Sequence, residues 1–254
     1  MNKKGLAKPR VYQTKIKIYP DGSTVLTVYK NAIVYRGSAE KESDDFDDIE
    51  GSSFSNNCVS VLNSEEKTEE EKEYEKLKNL WRIKTKIKDY ILSNDFNYFW
   101  TLTFKDDRYD YDLAFKKMSN WLRRMKRKYG KFDYIMIPEL HKDGAIHFHG
   151  VTGGLNAVIC DSGVKHKGVT VYNCTDWEHG FTTLTKIRSR EKTASYVTKY
   201  VTKEMQNSIV EKGKKKYWCS RGLRLPAVSY TDLNLGIDLI PDYKNDVCSI
   251  YRIL

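Results

Sequence analysis

Two histidines within one short stretch are the residues whose types and spacing could most readily do chemistry. His147 and His149 flank Phe148 in an alternating segment that is typical of a β-strand. Side chains two residues apart on a strand point to the same face, so both imidazoles could bind one divalent cation. Of the five histidines in the chain, three lie within nine residues, and His141 is the third. This clustering favours a metal site over isolated surface histidines.

The preceding strand supplies a possible third ligand, either Glu139 or His141. The segment 142–144, Lys-Asp-Gly, predicts a tight turn between the two strands. A three-residue turn would place Glu139 across from His147, whereas a two-residue turn would put them on opposite faces. Two histidines and one carboxylate suit Mn²⁺ or Mg²⁺ acting on a phosphate, and the same set also occurs in non-haem iron oxygenases.

A tandem Tyr-x-x-Lys repeat is the second chemically informative feature. It runs from Tyr196 to Lys203 within a helix predicted over about 193–207. On a helix, Tyr196 and Tyr200 share one side, as do Lys199 and Lys203. Tyrosine is a weak nucleophile with a reference pKa near 10, but it can attack phosphorus when a metal polarises the phosphate and lysines favour the phenolate. The pair of tyrosines would allow two successive transfers.

The cysteines offer a weaker alternative. A zinc site could be drawn from Cys160, His166, Cys174 and His179, but these spacings match no usual zinc pattern. The five cysteines include no Cys-x-x-Cys pair, which predicts a reduced cytosolic protein.

The elements that must position these residues alternate between strands and helices without a strict βαβ rhythm. Amphipathic helices are predicted over about 68–92 and 110–129, and an N-terminal hairpin turns at 20–22. Further strands are predicted over 97–104, 132–141, 145–151 and 181–187. The mixture favours an α+β fold with a central antiparallel sheet flanked by helices, which we expect over one face.

The composition divides the chain into four segments. We predict an N-terminal β-hairpin arm over 1–36, an acidic linker over 37–67, a main domain over 68–230 and a C-terminal tail over 231–254. Residues 37–75 carry 14 acids and 3 lysines, a charge of −11, so the rest carries +10 − (−11) = +21. So basic a body indicates a polyanionic partner such as nucleic acid. No run is apolar enough for a membrane span or a signal peptide, which predicts a cytoplasmic protein without a membrane partner.

Taken together and in this order, the motifs resemble the His-hydrophobic-His (HUH) endonucleases, in particular the replication-associated proteins of small phages and plasmids. Residues 99–104, Phe-Trp-Thr-Leu-Thr-Phe, resemble the first family motif, a core strand. Residues 139–149 resemble the metal motif, and 196–203 resemble the two-tyrosine motif. The patterns at 177–180 and 217–223 are also similar to those of phage and plasmid members, so the resemblance covers about residues 75–226.

The resemblance implies a ferredoxin- or RRM-like sheet with the metal on one face and the tyrosine helix beside it. His147 and His149 would hold Mn²⁺ or Mg²⁺ with Glu139 or His141, and Tyr196 or Tyr200 would attack the scissile phosphate. The products would be a 5′-phosphotyrosine and a 3′-OH that a host polymerase extends during rolling-circle replication. Because the sequence has no Walker-type loop, we expect a host helicase to separate the strands.

Basic and aromatic residues outside the two motifs are predicted to contact single-stranded DNA at a replication origin. Phosphate contacts are expected from cations, and base stacking from aromatic rings. These residues are Arg123, Arg124, Lys126, Arg127, Lys128, Lys214, Lys215, Lys216, Tyr217, Trp218, Arg221 and Arg224.

Three alternatives stay open from the sequence. A conjugative relaxase or single-strand transposase would share the chemistry but differ in biological outcome. A non-catalytic origin-binding protein would tolerate loss of the metal ligands or of the tyrosines, both of which this chain carries. A metal-dependent phosphodiesterase would use water and would need neither Tyr196 nor Tyr200.

Overall fold

The computed structural model of the protein describes residues 10–35, 68–207, 216–233, 235 and 239–253. These residues form three helices and twelve strands in two compact units, one covering 61–224 and the other 1–60 with 225–254. The acidic segment predicted as a linker, 37–67, lies outside the described residues. None of the described helices is both long and apolar enough to cross a membrane.

The larger unit is built on a seven-stranded sheet in which every paired strand is antiparallel. The strand order is β6-β7-β8-β3-β5-β4-β9. The strands are β3 (Tyr98–Leu102), β4 (Asp133–Leu140), β5 (Ile146–Gly153), β6 (Ile159–His166), β7 (Val169–Cys174), β8 (Thr182–Lys186) and β9 (Trp218–Cys219). The predicted α+β class with a central antiparallel sheet is therefore confirmed.

Helix α2 (Tyr111–Tyr129) covers one face of this sheet. Asp110 caps its first turn by accepting a hydrogen bond from the Leu113 amide at 3.0 Å. Its apolar side, including Met118 and Trp121, is fully buried in one cluster with the strand residues Trp100 and Phe148.

Helices α1 (Glu69–Ser93) and α3 (Arg190–Asn207) cover the opposite face. Ile87 of α1 and Val197 of α3 share a second buried cluster with Ile135 and Ile137 of β4. The expectation of helices over one face was therefore wrong. The physical reason is visible in β4, where Ile135 and Ile137 face one helical layer while the intervening Met136 faces the other.

Strands β6 and β7 were not predicted, because most of their side chains are partly or fully exposed and carry no strict alternation. They hold three residues of the possible zinc site. Ile159 pairs with Cys174 and Cys160 pairs with Asn173, so the two cysteines point to opposite faces of the hairpin. Among the described residues, no group of histidine, cysteine and acidic side chains gathers there to hold a metal.

The smaller unit is a five-stranded antiparallel sheet in the order β10-β1-β2-β12-β11. Its strands are β1 (Arg10–Ile18), β2 (Thr24–Tyr35), β10 (Ala227–Thr231), β11 (Tyr243–Lys244) and β12 (Cys248–Ile253). The turn between β1 and β2 is closed by hydrogen bonds between Tyr19 and Ser23 and between Gly22 and Tyr19, both 2.9 Å. The segment predicted as a tail thus contributes β11 and β12, and β12 pairs along β2.

Candidate functional site

A three-residue turn aligns the predicted metal ligands on two neighbouring strands. The His141 amide donates to the Ala145 carbonyl at 2.8 Å, and Gly144 takes a φ of +86° that glycine tolerates without strain. Glu139 of β4 consequently stands directly opposite His147 of β5. The register is the one that the three-residue alternative predicted, and it places both side chains on the α3 face of the sheet.

His149 is held at both ring nitrogens. Its Nε2 lies 2.6 Å from the Glu139 Oε2, and its Nδ1 lies 3.1 Å from the Thr101 Oγ1 on the other neighbouring strand. An ionised carboxylate can only accept, so in the neutral ring Nε2 donates to Glu139 and Nδ1 accepts from the Thr101 hydroxyl. Glu139 and His149 are both buried, so this contact fixes the imidazole in a site with little water.

His147 is half-buried beside two other histidines. Its ring centroid lies 6.4 Å from that of His149 and 5.2 Å from that of His141. Burial lowers the pKa of His147, and the positive charge that His149 and His141 would carry lowers it further. A lowered pKa favours the neutral imidazole, the form that binds metals. His141 is exposed, and its Nδ1 lies 3.1 Å from the Asp143 carboxylate.

The donor set suits a divalent metal in type, although it is not gathered around one point. As they stand, no three histidine, cysteine or acidic side chains among the described residues could hold a metal ion. The Glu139–His149 hydrogen bond accounts for this, because it joins a carboxylate oxygen and a ring nitrogen that would each have to turn to the metal. Two imidazoles and a carboxylate on one sheet face fit Mn²⁺ or Mg²⁺ chemically.

Helix α3 brings both tyrosines of the repeat to this same face. The helix begins at Ser189, whose hydroxyl accepts from the Lys192 amide at 3.2 Å. The Tyr200 ring stacks on the His149 ring with centroids 3.8 Å apart and an interplanar angle of 13°. Tyr196 contacts Tyr200 edge-on at 5.3 Å, so the two phenols and the histidines form one continuous cluster.

The two tyrosines differ in environment. Tyr196 is 47% exposed, whereas Tyr200 is only 7% exposed. Burial raises the pKa of Tyr200 far above its ordinary value, and a hydrogen bond with Tyr196 and the negative charge of Glu139 raise it further. Tyr196 therefore meets solvent and Tyr200 covers the histidine. Lys199 is exposed on α3, and the side chain of Lys203 lies outside the described residues.

The basic residues of α2 lie on the other face of the sheet from this cluster. Arg124 pairs with Glu178 at 2.9 Å, and Lys128 pairs with Asp176 at 2.5 Å. Lys126 lies over the Tyr134 ring, 5.0 Å from its centroid. The other two predicted DNA contacts of this helix, Arg123 and Arg127, are exposed.

The predicted DNA contacts after α3 are dispersed. Tyr217 packs in the cluster under α1 and α3, whereas the Trp218 ring packs at 4.5 Å from that of Phe115 in the cluster under α2. Both rings are half-buried, which limits the stacking predicted for them. Arg224 approaches the Asp95 carboxylate at 3.4 Å. Arg221 is exposed and Lys216 is half-buried, while Lys214 and Lys215 lie outside the described residues.

Two site residues were missed by sequence reasoning. Thr101 holds His149, and Phe99 packs edge-on against Tyr196 at 5.3 Å. Both come from β3, whose motif was interpreted as structural. Their alternation on the strand was a usable signal, because residues 99 and 101 share the face opposite to that of the buried Trp100.

Residues 97–205 match a family model that describes replication-associated proteins of the ORF2 type. The matched segment runs from the start of β3 into the last turns of α3 and so contains the histidine pair and both tyrosines. No curated protein and no solved structure matches the chain. Over this segment the chain is a replication-associated protein of that family, in keeping with the rolling-circle replication initiators that its motifs resemble.

Proposed function

We propose that this replication-associated protein nicks one DNA strand at an origin through a tyrosine nucleophile and stays joined to the cut end. The observation that carries the proposal is the stacking of Tyr200 on His149, with centroids 3.8 Å apart. A structural tyrosine has no need of a histidine–carboxylate pair beneath it. A tyrosine that attacks a metal-bound phosphate requires this proximity.

Under this proposal, His147, His149 and Glu139 hold a divalent cation, with His141 as the alternative to Glu139. When bound, Mn²⁺ or Mg²⁺ supplies a Lewis acid for a phosphate oxygen. Thr101 keeps the His149 ring in place through Nδ1, so that Nε2 is the nitrogen left for the metal once Glu139 turns away.

The tyrosines supply the nucleophile. The phenol oxygen of Tyr196 or Tyr200 attacks the phosphorus, the bond to the 3′ oxygen breaks, and a 5′-phosphotyrosine and a 3′-OH result. Lys199 and Lys203 stabilise the phenolate or the phosphate. Because the phosphodiester energy is kept in the tyrosine link, the other tyrosine can carry out a second transfer that releases a circular strand without ATP.

The remaining components are supplied by the host. A host polymerase extends the 3′-OH and a host helicase opens the duplex, since the chain contains no Walker-type loop. We propose that the protein works in the cytoplasm of a bacterial host, on the single-stranded origin DNA of a phage or plasmid.

Covalent capture of DNA tests the proposal. The protein is incubated with Mn²⁺ or with a chelator and with end-labelled single-stranded oligonucleotides that tile the replicon encoding it, and the products are separated on a denaturing gel. We expect the label 3′ of the nick to move to a protein-sized band only when metal is present. Tyr196→Phe and Tyr200→Phe identify the nucleophile, and His147→Ala should abolish the band.

Tyr74→Phe is the matched control, because Tyr74 is exposed on α1 outside the site. Cleavage without a protein-linked product would make the enzyme a hydrolase and remove the role of the tyrosines. Binding without cleavage across the whole replicon would support a non-catalytic origin-binding protein.

A further inference from the structure

The five-stranded sheet of the smaller unit has an unusual charge pattern. Its strands contain six cationic residues and no aspartate or glutamate. The cations are Arg10, Lys15, Lys17, Lys30, Lys244 and Arg252. A sheet with this composition attracts anions over its whole width.

The strand register gathers aromatic and basic residues on one face. Tyr230 pairs with Lys15, Lys15 with Thr27, Thr27 with Ile250, and Ile250 with Tyr243. Side chains of directly paired residues lie on the same face, so these five form one row across all five strands. Four strand spacings separate its two tyrosines by about 19 Å.

A second row and two further tyrosines extend this face. Lys17 pairs with Val25 and Val25 with Arg252, which places both cations beside the first row. Tyr12 contacts Tyr29 at 5.8 Å and Tyr230 at 4.7 Å between ring centroids. We call these residues the aromatic face: Tyr12, Tyr29, Tyr230, Tyr243, Lys15, Lys17 and Arg252.

The outer tyrosines of the aromatic face are accessible. Tyr230 is 49% exposed and Tyr243 is 52% exposed. Lys15 places its ammonium 5.8 Å from the Tyr230 ring centroid, so a cation accompanies the ring. Exposed aromatic rings beside cations are the combination that binds unpaired bases and their phosphates together.

We propose that the aromatic face is a second binding site for single-stranded DNA, separate from the tyrosine and histidine cluster. Bases stack on Tyr230 and Tyr243, while Lys15 and Arg252 neutralise phosphates between them. A duplex would not satisfy the site, because its bases are already stacked on one another and offer no free ring face. The choice of DNA as the nucleic acid rests on the proposed function.

Equilibrium binding to fluorescein-labelled oligo(dT) tests the site in the full chain. We expect Tyr230→Ala and Tyr243→Ala each to weaken binding about 5- to 150-fold, since one base–aromatic stack contributes on the order of 1–3 kcal/mol. The corresponding phenylalanine variants keep the ring and should bind like the wild type. Lys15→Gln should reduce the slope of log affinity against log salt by about 0.7.

Tyr74→Ala, an equally exposed tyrosine on α1, is the matched control and should leave the affinity unchanged. Unchanged affinity in both Tyr230→Ala and Tyr243→Ala, or equal losses in the phenylalanine variants, would overturn the proposal. Equal affinity for a duplex of the same length would also overturn it.

Crosslinking decides the matter if an alanine variant fails to fold. Oligo(dT) carrying 5-iodouracil is irradiated with the wild-type chain, and the crosslinked peptides are identified by mass spectrometry. We expect adducts on the peptides containing Tyr230 or Tyr243, and their absence from both would refute the site. The assay needs no nicking: adducts in a chain that never cleaves DNA would sustain this site while the nuclease proposal fails.

Discussion

At the scale of single residues, His149 is the most constrained side chain of the candidate site. Thr101 and Glu139 hold its two nitrogens from the neighbouring strands, and Tyr200 covers its ring. Partners of this kind set both the tautomer and the orientation of a metal-binding imidazole. The hydroxyl of Thr101 is the one contact that can be removed without touching a proposed ligand or nucleophile.

Replacing Thr101 with valine should therefore weaken Mn²⁺ affinity about 10- to 100-fold, because the His149 ring loses the partner of Nδ1. Isothermal titration with Mn²⁺ measures the change. Thr170→Val on β7 is the control, since it alters a strand threonine outside the site. An unaltered Mn²⁺ affinity in Thr101→Val would mean that Thr101 plays no part in metal binding.

The lowered pKa of His147 predicts a pH dependence of stability. A histidine whose pKa in the folded chain lies below the ordinary 6.5 binds its proton more readily after unfolding, so protonation favours the unfolded chain. The stabilisation is complete above pH 6.5 and is lost as the pH falls through the folded-state pKa. We expect the metal-free Tm to fall less between about pH 7.5 and about pH 5.5 in His147→Gln than in the wild type.

His166→Gln, which changes an exposed histidine on β6, controls for loss of an imidazole elsewhere. Parallel Tm profiles of the wild type and His147→Gln would contradict the assignment of this pH dependence to His147.

At the scale of elements, the sequence predicted local features better than long-range ones. The turn at 142–144 and the two strands beside it were predictable, because two-residue periodicity and a glycine turn are local signals. The pairing of β12 with β2 was not, because it joins segments more than 200 residues apart that carry no mutual mark. The stacking of Tyr200 on His149 was likewise out of reach, since helix docking decides which of two tyrosines is buried.

The packing of α2 depends on Trp121, whose ring lies 5.4 Å from those of both Trp100 and Trp177. Trp121→Ala should lower the free energy of unfolding by about 3–5 kcal/mol, because a fully buried ring leaves a cavity. Trp121→Phe should cost less, since its indole N–H has no hydrogen-bond partner among the described residues. Urea denaturation measures both, and equal losses would contradict the cavity explanation.

The cationic side of α2 and the tyrosine cluster lie on opposite faces of the sheet, which separates binding from cleavage. If Arg123 and Arg127 contact phosphates of a long strand, the double alanine variant loses about 0.7 per contact in the salt slope of single-stranded DNA binding. It should still cleave a saturating short oligonucleotide at the wild-type rate. Arg124→Ala, which removes a residue paired with Glu178, is the comparison. A slower cleavage rate would place α2 at the nick.

At the scale of the whole molecule, the larger unit is inserted between β2 and β10 of the smaller one. The smaller sheet therefore depends on both terminal segments of the chain. Strand β12 lies inside that sheet, between β2 and β11, rather than at its edge. Loss of residues 242–254 would leave β2 as an unpaired edge while every strand of the larger sheet is retained.

A chain ending at Pro241 should show faster amide exchange in β2, because the hydrogen bonds to β12 are gone. Exchange in β5, which pairs only with β3 and β4, should match that of the full chain. Hydrogen–deuterium exchange with peptide mass spectrometry reads both strands in one experiment. Unchanged protection of β2 would contradict the pairing, and increased exchange in β5 would mean that the two units share stability.

The inserted arrangement also sets an order of events during synthesis. Every residue of the histidine and tyrosine cluster has left the ribosome before β10 is made, so the larger unit can fold on the nascent chain. The smaller sheet can close only when β12, which ends at Ile253, finds β2. Contacts between such distant segments form slowly, because a long loop must close first. We therefore expect a newly made chain to pass through a stage in which the nuclease half is folded and the aromatic face does not yet exist.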